Sequence, residues 1–318
     1  MITLEIVTDF YKTGFLRAPV ALFEPGEAAL ALNSSAALAA QGVAFLSLPG
    51  PIDEDIQYFA AHQDFLYQPC FVHWRKRACT FQDEIARRSD LSARARKRRI
   101  KSHNLKLSQS AAFNCAVKSV ADGYADWYPV YDRAIIATRD GWGYRAMHPD
   151  FTASQESCAT HIGIYLQDDD QGEFLGGYIV EVIPRESILK IKAGAFHPDA
   201  PYSRSYLTYR ALHVLNDFAL SNGYKFLSYG HDSNFYGEFL TTGLAQFKLS
   251  NGFTPECWRA AHHPEFFSNR RILKLLCPSS LRAPFLTYQF SYGNELVANV
   301  AGNLAPDFPL PKDHLRTL

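Results

Sequence analysis

The hydrophobic and polar positions of this chain fall into short segments whose period changes along its length. VALFEP and GVAFLSLPG are brief apolar runs bounded by Pro and Gly, the pattern of buried strands. The small-residue stretch GEAALALNSSAALAAQ between them predicts a helix. IDEDIQYFAAHQDFL opens with acids, which suit a helix N-terminus because they meet the positive end of the macrodipole. In TFQDEIARRSDLSARARKRRIKSHN, Thr80 followed by Asp83 is a helix start. KSVADGYADWYPVYDRAII predicts an aromatic-rich helix. From Ala159 the pattern turns to strands: ATHIGIYLQ, EFLGGYIVEVI and ILKIKAGAF, separated by DDDQG and PRES, predict an antiparallel meander. SRSYLTYRALHVLNDFALSNG then carries apolar residues at helical spacing and stops at Gly223. YKFLSYG is the next strand, GLAQFKLSNGF a further short helix, and LKLLCP and FLTYQF late strands. The tail APDFPLPKDHLRTL reads as irregular. The composition shifts divide the chain into an N-terminal α/β part over 1–86, a main part over 87–278 and a C-terminal strand and tail over 279–318.

Composition sharpens this picture in three places. With 318 residues and 47% hydrophobic content the chain can bury a sizeable core. Its formal net charge is zero, so bulk charge selects no class of partner and any electrostatic signal is local. The densest charge is the run Arg94, Arg96, Lys97, Arg98, Arg99 and Lys101, either a solvated helix face or a phosphate-gripping patch. The six cysteines form no C-x-x-C pair, which argues against a zinc ribbon or a redox motif. MITLEIVTDFYKTGF lacks a basic region ahead of an apolar run, and no apolar stretch reaches the ~20 residues a membrane span needs. The expectation is a reduced, soluble, cytoplasmic protein.

Phosphate-binding G-x-x-x-x-G-K-[ST], strand-linked G-x-G-x-x-G, G-x-S-x-G and H-E-x-x-H are all missing, so P-loop, Rossmann, serine-hydrolase and zincin chemistry have no support. His262-His263 is no better a metal pair than ordinary surface histidines, since adjacent side chains point in different directions. No metal or resident cofactor is expected. What remains is an order: helix, meander, helix, strand, helix, strand. It predicts a mixed α/β layer in which the strand at YKFLSYG splays from its neighbour. Backbone groups freed there would pair with an extended acyl chain as with an added strand.

Candidate chemistry gathers around that strand. His231 and Asp232 at its exit are candidates for proton removal from a nucleophile, and Asn234 and Tyr236 for substrate contact. A turn after a strand also attracts Asp, Ser and Asn for local hydrogen bonding alone. Lys192 and His197 flank the last meander strand and are candidate substrate contacts, with His161 and Tyr178 as further lining; alternation puts Lys190 and Lys192 on one face. Lys248 stands alone in an apolar helix, as a snorkelling surface residue or as a charge aimed at a reacting carbonyl.

SDLSARARKRRIKSHN, DWYPVYDRAI, FLGGYIVEVI, SYLTYRALHVLNDFALSNGYKFLSYG and GLAQFKLSNGF, in that order, resemble the acyltransferase domain of the GNAT superfamily. The closer likeness is to its Fem-type branch of aminoacyl-tRNA-dependent peptidyltransferases. The resemblance covers roughly two thirds of the chain and leaves out the first ninety residues. It implies an α/β (α+β) GNAT-like fold, a central mixed, mostly antiparallel sheet flanked by helices, with two tandem halves as in that branch. It implies an N-acyltransferase that moves an aminoacyl or acyl group to the amine of a small molecule or peptide. CoA-dependent members carry a Q/R-x-x-G-x-G/A loop before the helix that here begins at AFHPDAPYSRSYLTY, which has no such glycines. That departure favours aminoacyl-tRNA over acyl-CoA or an acyl-carrier protein as donor. Arg204 and Tyr206, with Arg94, Arg98 and Arg99, are then the donor-binding candidates, and the Arg94–Lys101 segment the tRNA contact. CoA-dependent members place a general-acid tyrosine four residues before a Gly-Phe, where this chain has Lys248 before Gly252-Phe253; the Phe247-Lys248 pair matches the Fem-type branch. The resemblance implies that Lys248 stabilises the reacting carbonyl. No segment matches the long helical-hairpin arm of some Fem proteins, which leaves room for small-molecule tailoring. An acyltransferase fold that binds RNA without catalysis is the reading from another class.

Overall fold

A computed structural model describes residues 20–23, 27–49, 65–69, 71–87, 92–139, 147–169, 172–234, 242–257, 270–276, 285–290, 296–301 and 315–317. The chain forms two compact units, one of residues 1–74 and 231–318 and the other of residues 75–230. The second unit carries the predicted meander. Its strands β5 (Phe113–Ser119), β6 (His161–Asp168), β7 (Phe174–Ile183) and β8 (Ile188–Phe196) pair antiparallel in chain order. β9 (Phe226–Ser233) then joins β8 in parallel, and β4 (Phe71–Arg77) lies beyond β9. The expected class, a mixed and mostly antiparallel sheet flanked by helices, is what the chain adopts.

Two helices cover the faces of this sheet, and strand alternation decides which side chains each one meets. α4 (Tyr124–Arg139) packs Trp127 and Tyr131 against Tyr165, Ile179 and Ala195. Trp127 Nε1 donates to the Gly177 carbonyl at 3.1 Å. Any Cβ at Gly177 would lie 1.9 Å from the Ile164 carbonyl oxygen, so only glycine permits that strand contact. The short α5 (Gln155–Thr160) precedes β6, and α6 (Arg204–Ser221) takes the side of Tyr178 and buries Leu207, Thr208, Ala211, Leu212, Leu215, Asn216 and Ala219. Its apolar spacing is what the sequence predicts.

α2 (Phe81–Arg87) and α3 (Ala93–Gln109) are separate helices where the sequence reads as one stretch. Thr80 caps the first, its Oγ1 accepting from Asp83 N at 3.1 Å, and Ser92 caps the second, accepting from Ala95 N at 3.3 Å. Lys118 and Ser119, read as the start of the aromatic helix, belong to β5 instead, because pairing with Gly163 and Ile162 outweighs local preference.

In the first unit β1 (Val20–Leu22), β2 (Phe45–Pro49), β11 (Arg270–Leu275) and β3 (Phe65–Pro69) form a four-stranded sheet around Val20, Ala44, Phe45, Leu66 and Leu273. α1 (Ala28–Ala40) connects β1 to β2. β12 (Phe285–Phe290), β13 (Leu296–Ala301) and β14 (Leu315–Thr317) form a second sheet, and β10 (Thr254–Cys257) lies beside β4. α7 (Thr242–Ser250) is the helix of Lys248. No helix among the described residues is long and apolar enough to cross a membrane.

Candidate functional site

The expected splay is present. β8 and β9 pair only through Ile188↔Phe226, Leu189↔Leu227 and Lys190↔Ser228, although β8 runs on to Phe196. Two local irregularities sit where the pairing stops. On the β7 side, Ile179 faces Ala193 while Val180 faces Ile191, so Lys192 is the extra residue of a β-bulge. On β9, Gly230 has a φ of 71°, and its N–H donates to Ser228 Oγ at 3.0 Å. The outcome is a parallel pair that opens after Lys190, with β8 backbone beyond it released from β9. On the α6 side, the Tyr229 hydroxyl donates to the Tyr178 hydroxyl at 2.9 Å. Burial pushes the Tyr178 hydroxyl well above its ordinary value, and the neighbouring Tyr229 adds to the rise.

A polar row crosses the other face and ends at this opening. His161 faces Glu181, which faces Lys190. The Lys190 and Lys192 ammonium groups each lie 3.3 Å from Glu181 Oε2. Burial alone would raise the Glu181 carboxyl, but the two lysines outweigh it and hold it below the usual carboxylate range. His161 is buried, and its Nδ1 lies 3.0 Å from both the Ser157 carbonyl and Thr160 Oγ1. A carbonyl can only accept, so the proton of the neutral ring is on Nδ1. Its Nε2 has no hydrogen-bond partner among the described residues. Desolvation lowers the His161 pKa, with the Ser157 hydrogen bond and Glu181 opposing. His197, after β8, is half-buried, and its Nδ1 accepts from Asp199 N at 3.3 Å.

The first unit holds His231, Asp232, Asn234 and Lys248. β9 extends past Gly230, so His231 and Asp232 are strand residues and not part of a following turn. His231 is exposed, with its ring 4.8 Å from that of His73. Lys248 is only 1% exposed, so it does not snorkel; its Nζ donates to Asp232 Oδ2 at 2.5 Å and lies 5.4 Å from the Trp74 ring centroid. Tyr288 packs edge-on to Trp74 at 5.9 Å, its hydroxyl pushed up by burial and then by Asp232. Asn234 is fully buried, with both amide hydrogens committed: Nδ2 donates to Pro69 O at 2.8 Å and to Tyr288 O at 2.5 Å, while Oδ1 accepts from Tyr288 N. Its side chain thus has no donor left for a substrate. Tyr236 and His262-His263 lie outside the described residues.

The spacing from Lys248 to Gly252-Phe253 has a local cause. Phe253 N donates to Lys248 O and Gly252 N to Leu249 O, both at 3.0 Å, and Gly252 has a φ of 82°. This is a Schellman helix stop, with glycine in the left-handed position and an apolar residue after it.

Of the donor-binding candidates, Arg94 and Arg98 are exposed and Arg99 is half-buried, 3.4 Å from Glu84. Arg94, Lys97, Arg98 and Lys101 are all exposed at spacing that aligns them on one helix face, while His103 on the inner face stacks on Phe81 with ring centroids 3.6 Å apart and bonds the Tyr209 hydroxyl. Arg204 is exposed at the first turn of α6, and Tyr206 is half-buried beside it. Sequence reasoning missed Glu181, Tyr229, Trp74 and Tyr288. Strand alternation opposite two lysines was an available signal for Glu181; nothing local marks Trp74 or Tyr288.

No family model matches the chain, and no curated protein matches it. In overall path it is similar to the C-terminal domain of a candidate lysylphosphatidylglycerol synthetase from Agrobacterium fabrum, at 14% identity over 82% of this chain and 78% of that one, with a TM-score of 0.41. It is also similar to L-PGS from Bacillus licheniformis, at 11% identity over 80% of this chain and 76% of that one, with a TM-score of 0.35. A tandem GNAT protein from the clavulanic acid biosynthesis pathway gives 11% identity over 80% of this chain and 70% of that one, with a TM-score of 0.33. At these values the likeness assigns no chemistry, and the functional reading rests on the chain's own geometry.

Proposed function

We propose that the protein is an N-acyltransferase of the GNAT type, joining an activated acyl or aminoacyl group to the amine of a small molecule or peptide. One observation carries this reading: parallel β8 and β9 part after Lys190↔Ser228, beside a bulge at Lys192. An opened parallel pair offers unspent backbone N–H and C=O groups, to which an extended acyl chain adds as a strand would. The reaction needs donors for the carbonyl oxygen as it gains charge, and a group that takes the amine's proton. On this reading Lys248 supplies positive charge, and Asp232 or His231 the proton acceptor. The 2.5 Å contact means that Lys248 and Asp232 act as a pair, the carboxylate offsetting the ammonium's cost of burial.

The donor we infer is aminoacyl-tRNA. The outward row Arg94, Lys97, Arg98 and Lys101 supports it, because cations aligned on one face track a phosphate backbone. An acyl thioester is the second reading, since backbone pairing at the opening serves either donor. The test is acyl transfer with aminoacyl-tRNA and acyl-CoA donors against a mixed amine panel, read by mass spectrometry. Product from aminoacyl-tRNA is expected. Product from acyl-CoA alone overturns the donor, and no product from any donor overturns the enzyme reading. Replacing Arg94 and Arg98 with Gln should weaken tRNA binding and flatten its salt dependence; an unchanged slope removes the helix from the tRNA contact.

A further inference from the structure

The row His161–Glu181–Lys190–Lys192 carries more positive charge than its one carboxylate offsets. Two ammonium groups, each with three donors, share Glu181 Oε2 at 3.3 Å. Both are ion pairs without hydrogen-bond geometry, and Glu181 Oε2 is itself buried with no hydrogen-bond partner among the described residues. Both lysine side chains remain partly exposed, at 25% and 32%. The bulge keeps the second lysine here: with Lys192 as the extra residue, it reaches the same carboxylate as Lys190 while Ala193 faces Ile179. At the far end of the row, His161 is 8% exposed and holds its Nδ1 proton toward the Ser157 carbonyl, leaving Nε2 buried with no hydrogen-bond partner among the described residues. A buried polar atom with no partner is uncommon in a folded protein and calls for an explanation. Phe151 meets the imidazole edge-on at 4.9 Å and supplies nothing polar.

We propose that this row is a binding site for an anionic oxygen group, a carboxylate or a phosphate. It rests on the acyl-transfer reading only for its biological ligand: there it holds the anionic group of the acceptor, which is then an amine that also carries a negative charge. The row ends at Lys190↔Ser228, the last pair before the opening, so an acceptor anchored on the lysines lies along the route to the acyl group. Each lysine turns a spare donor from water to the ligand oxygen. His161 completes the site by taking up a proton at Nε2, which converts the bare lone pair into a third donor. The groups facing it set the sign: Lys190 and Lys192 oppose protonation, Glu181 favours it, and an added anion tips the balance toward the charged ring.

The test is binding to the full chain without turnover. Inorganic phosphate and succinate are titrated separately against protein with labelled imidazoles, and the ring nitrogens of His161 are followed. Saturable binding of one probe is expected, with His161 passing from the Nδ1–H tautomer to imidazolium. Lys190→Gln and Lys192→Gln should each weaken that binding about tenfold or more, the worth of one charge-assisted donor. Glu181→Gln should tighten it, since both ammonium groups are released; a residue of purely structural value would not. Saturation by phosphate but not succinate assigns a phosphate-bearing ligand, and the reverse a carboxylate-bearing one. If neither probe saturates, or the lysine variants bind as the parent does, the proposal is overturned. Because no donor or product enters the measurement, failure of the acyl-transfer reading shows separately in the transfer assay.

Discussion

Two helices of this protein, one in each unit, end on nearly the same seven residues. α6 finishes FALSNGY over Phe218–Tyr224, and α7 finishes FKLSNGF over Phe247–Phe253. The hydrogen bonds match as closely. Tyr224 N donates to Ala219 O as Phe253 N donates to Lys248 O, and each Asn side chain, Asn222 and Asn251, donates to the phenylalanine carbonyl four residues back at 2.8 Å. Gly223 and Gly252 share a left-handed φ, 74° and 82°. α1 stops the same way, with Val43 N on Leu38 O and Gly42 at 78°. The stop therefore needs a glycine and a following apolar residue and is indifferent to the residue between the phenylalanine and LSNG. That residue is a fully buried alanine in one unit and a fully buried lysine in the other. The comparison separates two things that the sequence presents together: the Gly-Phe spacing belongs to helix termination, and the lysine is an independent feature.

Exchanging the variable position has the largest expected effect. Ala219→Lys places an ammonium in an alanine-sized slot; overpacking and desolvation together should remove more than about 4 kcal/mol, seen as loss of a cooperative denaturant transition. Tolerance within about 1 kcal/mol would mean that both helix ends accept a lysine for local reasons. Lys248→Ala leaves Asp232 without its ammonium and should cost roughly 3–5 kcal/mol. Lys248→Met combined with Asp232→Leu should recover most of that loss, because matched apolar groups need no pairing. The double variant also tests chemistry. If it is stable and still transfers acyl groups, the pair is structural and the proposed charge role is wrong.

The shared features should respond alike. Gly223→Ala and Gly252→Ala force alanine into the left-handed region, costing about 1–2 kcal/mol each. A difference above ~1 kcal/mol between them would show that one stop is locally relaxed and the other held by packing. A smaller contrast separates the units by pH. His103, His161 and His213, all in the second unit, have pKa values lowered chiefly by burial. For such groups the unfolded chain takes up protons first. Stability is therefore full above the unfolded value near 6.5 and declines as pH falls from there through the lowered folded values. His103→Phe, which keeps the stack on Phe81, should flatten that acid limb; an unchanged limb would mean that other groups carry it.

Much of the fold was legible in the residues. The meander, its turns and the helix up to Gly223 followed from alternation, helical spacing and a glycine stop, all set by near neighbours in the chain. β5 was missed because its strand character comes from pairing with β6, well separated in sequence. The opening after Lys190 was expected from element order, while the bulge at Lys192 that accompanies it depends on registry against β7 and leaves no local mark.

The candidate side chains divide along the same line. Lys248 is conspicuous in one dimension, as a lone lysine in an apolar helix. That it is buried, and that Asp232 answers it, was decided by tertiary structure: an ion pair depends on which strand the helix packs against. Asn234 looked like a strand-exit ligand and became a clasp between Pro69 and Tyr288, because its amide meets carbonyls distant in the chain. Glu181 drew no notice until its register placed it between His161 and two lysines. By itself the sequence determined the helix stops, the meander and the chemical types available. Only tertiary structure decided which charges meet, because burial and pairing act between residues that local propensity cannot connect.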